Sequence, residues 1–189
     1  MHRYQILIEY AGTNFVGWQI QPKGKSIQKS VQTKLSNLLK EKISLIGSGR
    51  TDAGVHAIEQ SAHFECKKKI QNLKIATILP YKEDYSFIKA SAVSLWVAEF
   101  FKNSKFNNNN IIFGSTKTKD FLTKNYVNIK LESLESRIIS TTNEYIRKLV
   151  KENKNKNFDL IEIHNRPLIL FNLIYKIKNN YIFYFHNDP

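Results

Sequence analysis

A single cysteine, Cys66, stands among 189 residues, which excludes a disulfide within the chain and points to a reducing compartment. No apolar run approaches the roughly 20 residues of a membrane-spanning helix, and the opening MHRYQILIEY lacks the long apolar stretch of a signal peptide. A cytoplasmic protein with no membrane span is expected. Glycine is scarce and unevenly placed: it occupies positions 12, 17, 24, 47, 49, 54 and 114, so all but one fall in the first third. Acidic residues are few, 16 against 29 Lys and Arg, and the net charge is +13. A basic surface attracts phosphates and releases their counterions, which suits a polyanionic partner. The same excess of Lys interleaved with Asn also follows from AT-rich coding. Up to residue 72 there are 11 basic and 5 acidic residues, beyond it 18 and 11, so the parts carry +6 and +7 and no separate basic domain stands out.

What is present suffices for a core. The apolar share is 42% and the aromatic share 12%, and the length allows one ordinary domain or two small ones, since cores usually span roughly 100 to 200 residues. After the basic run Lys67-Lys68-Lys69 the chain becomes Asn/Lys-rich and almost free of glycine, which places a domain boundary near Asn72 and defines parts 1-72 and 73-189. In the first part, YQILIEY alternates like a strand and AGTNFVGWQIQPKGK is a Gly-punctuated loop. Ser26 then caps a helix through SIQKSVQTKLSNLLKE, whose Ile27, Val31, Leu35, Leu38 and Leu39 recur at helical spacing. ISLIG and EQSAHFEC read as strands, and the β-α-β order suits half of an α+β sheet with helices on one face.

The second part predicts the strand LKIATILP, a long helix through FIKASAVSLWVAEFF, strands in NIIFGST and NYVNIKL, and the helix TTNEYIRKLVKEN. Strands in DLIEIHN and YIFYFHNDP follow, separated by the helix PLILFNLIYKIK. Strands alternating with helices predict a parallel, doubly wound sheet with right-handed crossovers. The fold class is thus mixed, α+β first and α/β after it.

Chemistry concentrates in Gly47-Ser48-Gly49-Arg50-Thr51-Asp52-Ala53-Gly54-Val55-His56-Ala57, where three glycines surround one Arg and one Asp. Such a loop lets backbone approach a ligand closely. An aspartate can be a covalent nucleophile while it stays ionised and partly shielded, and a neighbouring guanidinium favours the ionised form; Arg50 is placed to do this for Asp52. The alternative is that Asp52 caps a turn and Arg50 ties the loop down. His56, between Val55 and Ala57, reads as a packing residue, His63 as structural, and Trp18 with Phe15 as core.

IEYAGTNFVGWQIQ, SIQKSVQTKL, GSGRTDAGVHA and SAHFEC are similar, in order and spacing, to the start of TruA-type tRNA pseudouridine synthases over residues 1-65. The resemblance implies that Asp52 attacks the uridine, at the ribose carbon or at the base, and that Arg50 pairs with Asp52 and helps hold the base out of its stack. It implies tRNA contacts for Arg50, Thr51 and His56, no cofactor and no metal, a ferredoxin-like half-domain, and homodimers acting on the anticodon stem-loop of tRNA. Arg137 and Tyr145, eight residues apart, share a spacing with the family's later aromatic residue, a distance also common in helices.

From Leu73 the chain resembles the amino-terminal, Rossmann-like half of a GT-B glycosyltransferase, through LKIATILPYKEDYSFIKASAVSLWVAEFF, DLIEIHNRP and FYFHNDP. His164 and Arg166 follow one predicted strand and His186 another, at the carboxyl ends where open α/β sheets bind ligands; the competing reading makes them turn formers beside Pro167 and Pro189. Ala90, Ser91 and Ala92 open the helix whose backbone N-H groups could hold a polar ligand. In that family the donor sits in a second domain, so no nucleotide-sugar binding is expected. The chain reads as a synthase start joined to a transferase start, a pattern that a gene fusion, a chimera or a truncated reading frame would each give, with a glycosyltransferase fragment and a non-catalytic basic RNA-binding module as rival functions.

Overall fold

The computed structural model describes residues 1–132, 139–154, 156–184 and 186 and divides the chain into two compact units, Met1–Ile70 and Gln71–Pro189. Arg137, Asn187 and Asp188 lie outside the described residues.

The first unit contains β1 (His2–Tyr10), α1 (Ile27–Leu39), β2 (Leu45–Gly47) and β3 (Ala57–Cys66). The strands form an antiparallel sheet in the order β1-β3-β2. Period-two alternation sorts its two faces. Tyr4 opposite Phe64 and Ile6 opposite Ala62 lie on one face, while Arg3 opposite Glu65 and Gln5 opposite His63 lie on the other. The first set packs with the core, in which Trp18, Ile27, Leu39, Ile43, Leu45, Ala62 and Phe64 are buried.

Ser26 caps α1 as its sequence predicts, its Oγ accepting from the Lys29 N–H at 3.4 Å. Two glutamines one turn apart on α1 then complete β2. Gln28 Nε2 donates to the Leu45 carbonyl at 2.7 Å, and Gln32 Oε1 accepts from the Leu45 N–H at 3.1 Å. Cys66 ends β3, buried, with Sγ donating to the Lys68 carbonyl at 3.1 Å; burial pushes its thiol pKa up.

The second unit runs β4 (Ile75–Ile78), α2 (Ala92–Asn103), β5 (Asn110–Gly114), β6 (Tyr126–Asn128), α3 (Thr141–Asn153), β7 (Leu160–His164), α4 (Pro167–Ile174) and β8 (Asn180–Tyr184). Its five strands form a parallel sheet in the order β6-β5-β4-β7-β8. β4 and β7 are buried along their whole length, as expected where helices cover both faces of such a sheet, and they carry Thr77, Glu162 and His164 into that interior. On one face Ala76, Ile78, Phe113, Ile161 and Ile163 pack with Tyr145, Ile146 and Leu149 of α3 and Ile169 and Leu173 of α4. On the other, Leu79, Tyr85, Ile112 and Tyr126 pack with Val93, Val97 and Phe101 of α2.

One expected boundary is corrected. α2 starts at Ala92 rather than near Phe87, because Ser91 caps it by accepting from the Ser94 N–H at 3.1 Å. Phe87 and Ile88, which sequence periodicity assigns to the helix, are exposed in a segment that reaches back to Asp120 through the Phe87 N–H. Truncating Phe101, wholly buried between α2 and the sheet, to alanine is expected to cost about 3–5 kcal/mol, read as a lower urea midpoint for unfolding of the second unit.

Candidate functional site

The loop carrying Asp52 has no regular structure; its shape comes from the segment after β1. A Cβ on Gly12 would lie 1.9 Å from the Val55 carbonyl oxygen, and one on Gly17 2.6 Å from that of Thr51. Bare glycines are therefore what let the two backbones touch. Across this contact the Trp18 N–H donates to the Thr51 carbonyl at 2.9 Å, and the Gly54 N–H to that of Phe15 at 3.3 Å. Side chains add two clasps: the Tyr10 and Thr51 hydroxyls lie 2.8 Å apart, and Thr13 Oγ1 lies 3.2 Å from His56 Nε2. Asp52 thus sits between fixed points on both sides.

Trp18 belongs to the core, as expected, and its indole rests on Gly47, where any Cβ would meet Nε1 at 2.4 Å. Its ring centroid lies 6.1 Å from that of Tyr10. A cavity of about 330 Å³ opens beside Trp18, Gln28, Ser48 and Arg50. Another, of about 580 Å³, is lined by Glu9, Tyr10, His56 and Ile58.

Three expectations differ from the geometry found here. Among the described residues Arg50 and Asp52 form no ion pair, and Asp52 is exposed rather than shielded. Both side chains stand in water, where an ion pair gains too little to hold itself together. His56 is exposed as well, not a packing residue. The roles of Tyr10 and Thr13 escape sequence reasoning; the available signal was the pair of glycines, which demand a backbone neighbour without naming it.

In the second unit the structure brings His164 and His186 together, Nδ1 to Nε2 at 2.6 Å, with the tautomers deciding which ring donates. Both follow from strand geometry. His164 ends β7 facing α2, alternating with Ile161 and Ile163 that face α3 and α4, and the Asn165 side chain holds the His186 N–H at 2.8 Å. Tyr184 stacks on His164 with centroids 4.9 Å apart, and Trp96 of α2 meets His186 edge-on at 5.1 Å. Burial, then the neighbouring His186, pushes the His164 pKa down to about 3. Arg166 joins neither ring; its guanidinium lies over Tyr81 at 5.6 Å. Tyr145 is core, its hydroxyl donating to the Leu79 carbonyl at 2.8 Å. The Ser94 N–H near the start of α2 is already taken by Ser91.

Glu162, one turn of the pleat before His164, is also buried, and burial raises its carboxyl pKa. Thr77 Oγ1 lies 3.0 Å from Glu162 Oε2 and 3.1 Å from Asn110 Oδ1. Its single proton serves one acceptor at a time, so a protonated Glu162 donating to Thr77 satisfies the chain of three.

A buried histidine whose pKa is depressed binds fewer protons folded than unfolded, so its contribution to stability is complete above about pH 6.5, the ordinary value, and is lost as pH falls toward 3. Glu162 acts oppositely, its raised value favouring the fold at low pH. Replacing His164 with phenylalanine is expected to flatten the fall of the melting temperature between pH 6.5 and 3.5; an unchanged slope would place the acid sensitivity elsewhere.

Comparison with known proteins gives this geometry a context. The family model for tRNA pseudouridine synthase matches residues 6–100, half of the chain, from β1 into α2. The chain is 82% identical over 73 residues to tRNA pseudouridine synthase A of Pelagibacter ubique, a stretch covering 39% of this chain and 30% of that protein. It is 62% identical over 65 residues to tRNA pseudouridine synthase A 1 of Protochlamydia amoebophila, covering 34% of this chain and 25% of that one. With tRNA pseudouridine synthase A of Orientia tsutsugamushi it shares 54% over 65 residues, 34% of this chain and 23% of the relative. The matched stretches span less than a third of these relatives. With the Asp52 loop and the segment that grips it both inside the stretch matched by the family model, the chain belongs to the tRNA pseudouridine synthase family.

Proposed function

We propose that the first unit serves the isomerisation of uridine to pseudouridine in tRNA, with the Asp52 carboxylate as nucleophile at the ribose carbon or at the base. The observation that carries this reading is the state of Asp52 itself. Its carboxylate is exposed and engages no other side chain among the described residues, while the backbone on either side is clamped. A nucleophile needs that combination: a free reacting atom on a support that does not move.

In this reading the target base leaves its stack to reach Asp52. Arg50, at the rim of the cavity beside Trp18, swings to the carboxylate or to a phosphate once RNA excludes water from the pair. Thr51 acts through its hydroxyl contact with Tyr10 and keeps the loop in place. His56, exposed and anchored to Thr13, meets the RNA backbone. The charge of +13 supplies long-range attraction to a polyanion. The proposal extends to tRNA as the partner, the cytoplasm as the location and a homodimer as the working form.

For the second unit we infer a Rossmann-like domain resembling the first half of a GT-B glycosyltransferase. Support comes from the parallel strand order β6-β5-β4-β7-β8 and from His164, Arg166 and His186 at or just beyond the carboxyl ends of β7 and β8, where such sheets take ligands.

The test is pseudouridine formation on unmodified tRNA by the whole chain and by variants. Asp52→Ala is expected to lower the rate at least about 10³-fold without changing the fold. Tyr10→Phe, which removes only the hydroxyl clasp, is expected to slow the reaction several-fold and to speed amide exchange at residues 52–55. Failure of the unmodified chain to form any product would refute the activity for this polypeptide.

A further inference from the structure

We propose that the face of the second unit formed by α4 and the end of α3 rests on an anionic membrane surface. α4 is the most apolar of the described helices, PLILFNLI, yet only Ile169 and Leu173 of it are buried in the core. Leu168 is 64% exposed, Phe171 56% and Tyr175, just after the helix, 87%. At helical spacing of three and four these three form one stripe, with Ile174 beside it, also exposed. An amphipathic helix that turns an aliphatic and aromatic stripe outward is built to lie in an interface, with its rings at the headgroup level.

The charge around the stripe decides among occupants. Lys176 and Lys178 follow α4, and Lys151 and Lys154 lie at the end of the neighbouring α3; all four are exposed. Among the described residues none of them takes an ion-pair partner. The carboxylate nearest in sequence, Glu152, is already matched by Lys156 at 3.7 Å. A second copy docking on this face through a two-fold axis would bring like charges together. An RNA would use the lysines and stack a base on Phe171 or Tyr175, but has no use for the exposed aliphatic Leu168 and Ile174. Acyl chains beneath acidic headgroups use both. The helix has eight residues, so it lies on the surface and does not cross.

The experiment is flotation of the whole chain with vesicles of phosphatidylcholine containing phosphatidylglycerol, and with vesicles of phosphatidylcholine alone. Flotation with the anionic vesicles only is expected. Lys176→Gln combined with Lys178→Gln is expected to weaken it roughly 30-fold, at about 1 kcal/mol for each lysine near the surface. Phe171→Ser is expected to weaken it roughly 10-fold or more. Both sites are exposed, so circular dichroism should show unchanged folding. Three outcomes overturn the proposal: equal retention on neutral vesicles, retention that survives both variants, or no retention together with a dimer in sedimentation that Phe171→Ser dissolves. Loss of tRNA affinity in the lysine variant without any vesicle binding likewise assigns the face to nucleic acid.

Discussion

The loop that carries Asp52 has no regular structure beyond the turn in which the Val55 N–H donates to the Asp52 carbonyl at 3.2 Å, so it takes its shape from a second loop pressed against it, and that approach exists only where Gly12 and Gly17 lack a Cβ. The position of Asp52 hangs on this contact. The backbone bonds from Trp18 to Thr51 and from Gly54 to Phe15 replace the ladder that a strand would have supplied. Trp18 links the contact to the core, since its indole stands against Gly47 and its backbone against the loop. A site built this way is rigid without being regular. It can place a carboxylate in solvent and still return it to one position, which the role proposed for Asp52 requires.

How much of this the sequence disclosed depended on whether the signal was local. Ser26 and the apolar positions after it mark α1 because capping and helical spacing are read within one or two turns. Thr141–Asn153 was legible for the same reason. The start of α2 was not, because Phe87, Ile88 and Ala90 continue the apolar rhythm while Ser91 ends it with a single hydroxyl. The grip on the Asp52 loop was illegible too: Tyr10 meets Thr51 and Thr13 meets His56 across about forty residues of chain, and no composition rule ties such pairs. The Arg50–Asp52 pair was a local inference from adjacency, and adjacency does not force two exposed side chains together.

The second unit shows the opposite balance. Its parallel sheet could be anticipated from alternating strands and helices, and the pairing of His164 with His186 needed only β7 and β8 to be neighbours. What could not be anticipated is the polar strip from Asn110 through Thr77 to Glu162 on the face that α2 covers. Thr77 in β4 and Glu162 in β7 are visible in the sequence, and only the register shows that they meet. The family match also runs past Ile70 into this unit as far as residue 100, so the compact division of the chain and the reach of the family resemblance do not coincide.

Cys66 closes β3 at the end of the first unit, buried, with its thiol held in the protonated form by its surroundings. Thiolate is the form that reacts with alkylating reagents, so the folded unit hides its sulfur twice over, by access and by ionisation. The chain has no other cysteine. Its alkylation therefore reports the exposure of the end of β3, and makes the sulfur a built-in gauge of how long the Asp52 loop keeps its scaffold.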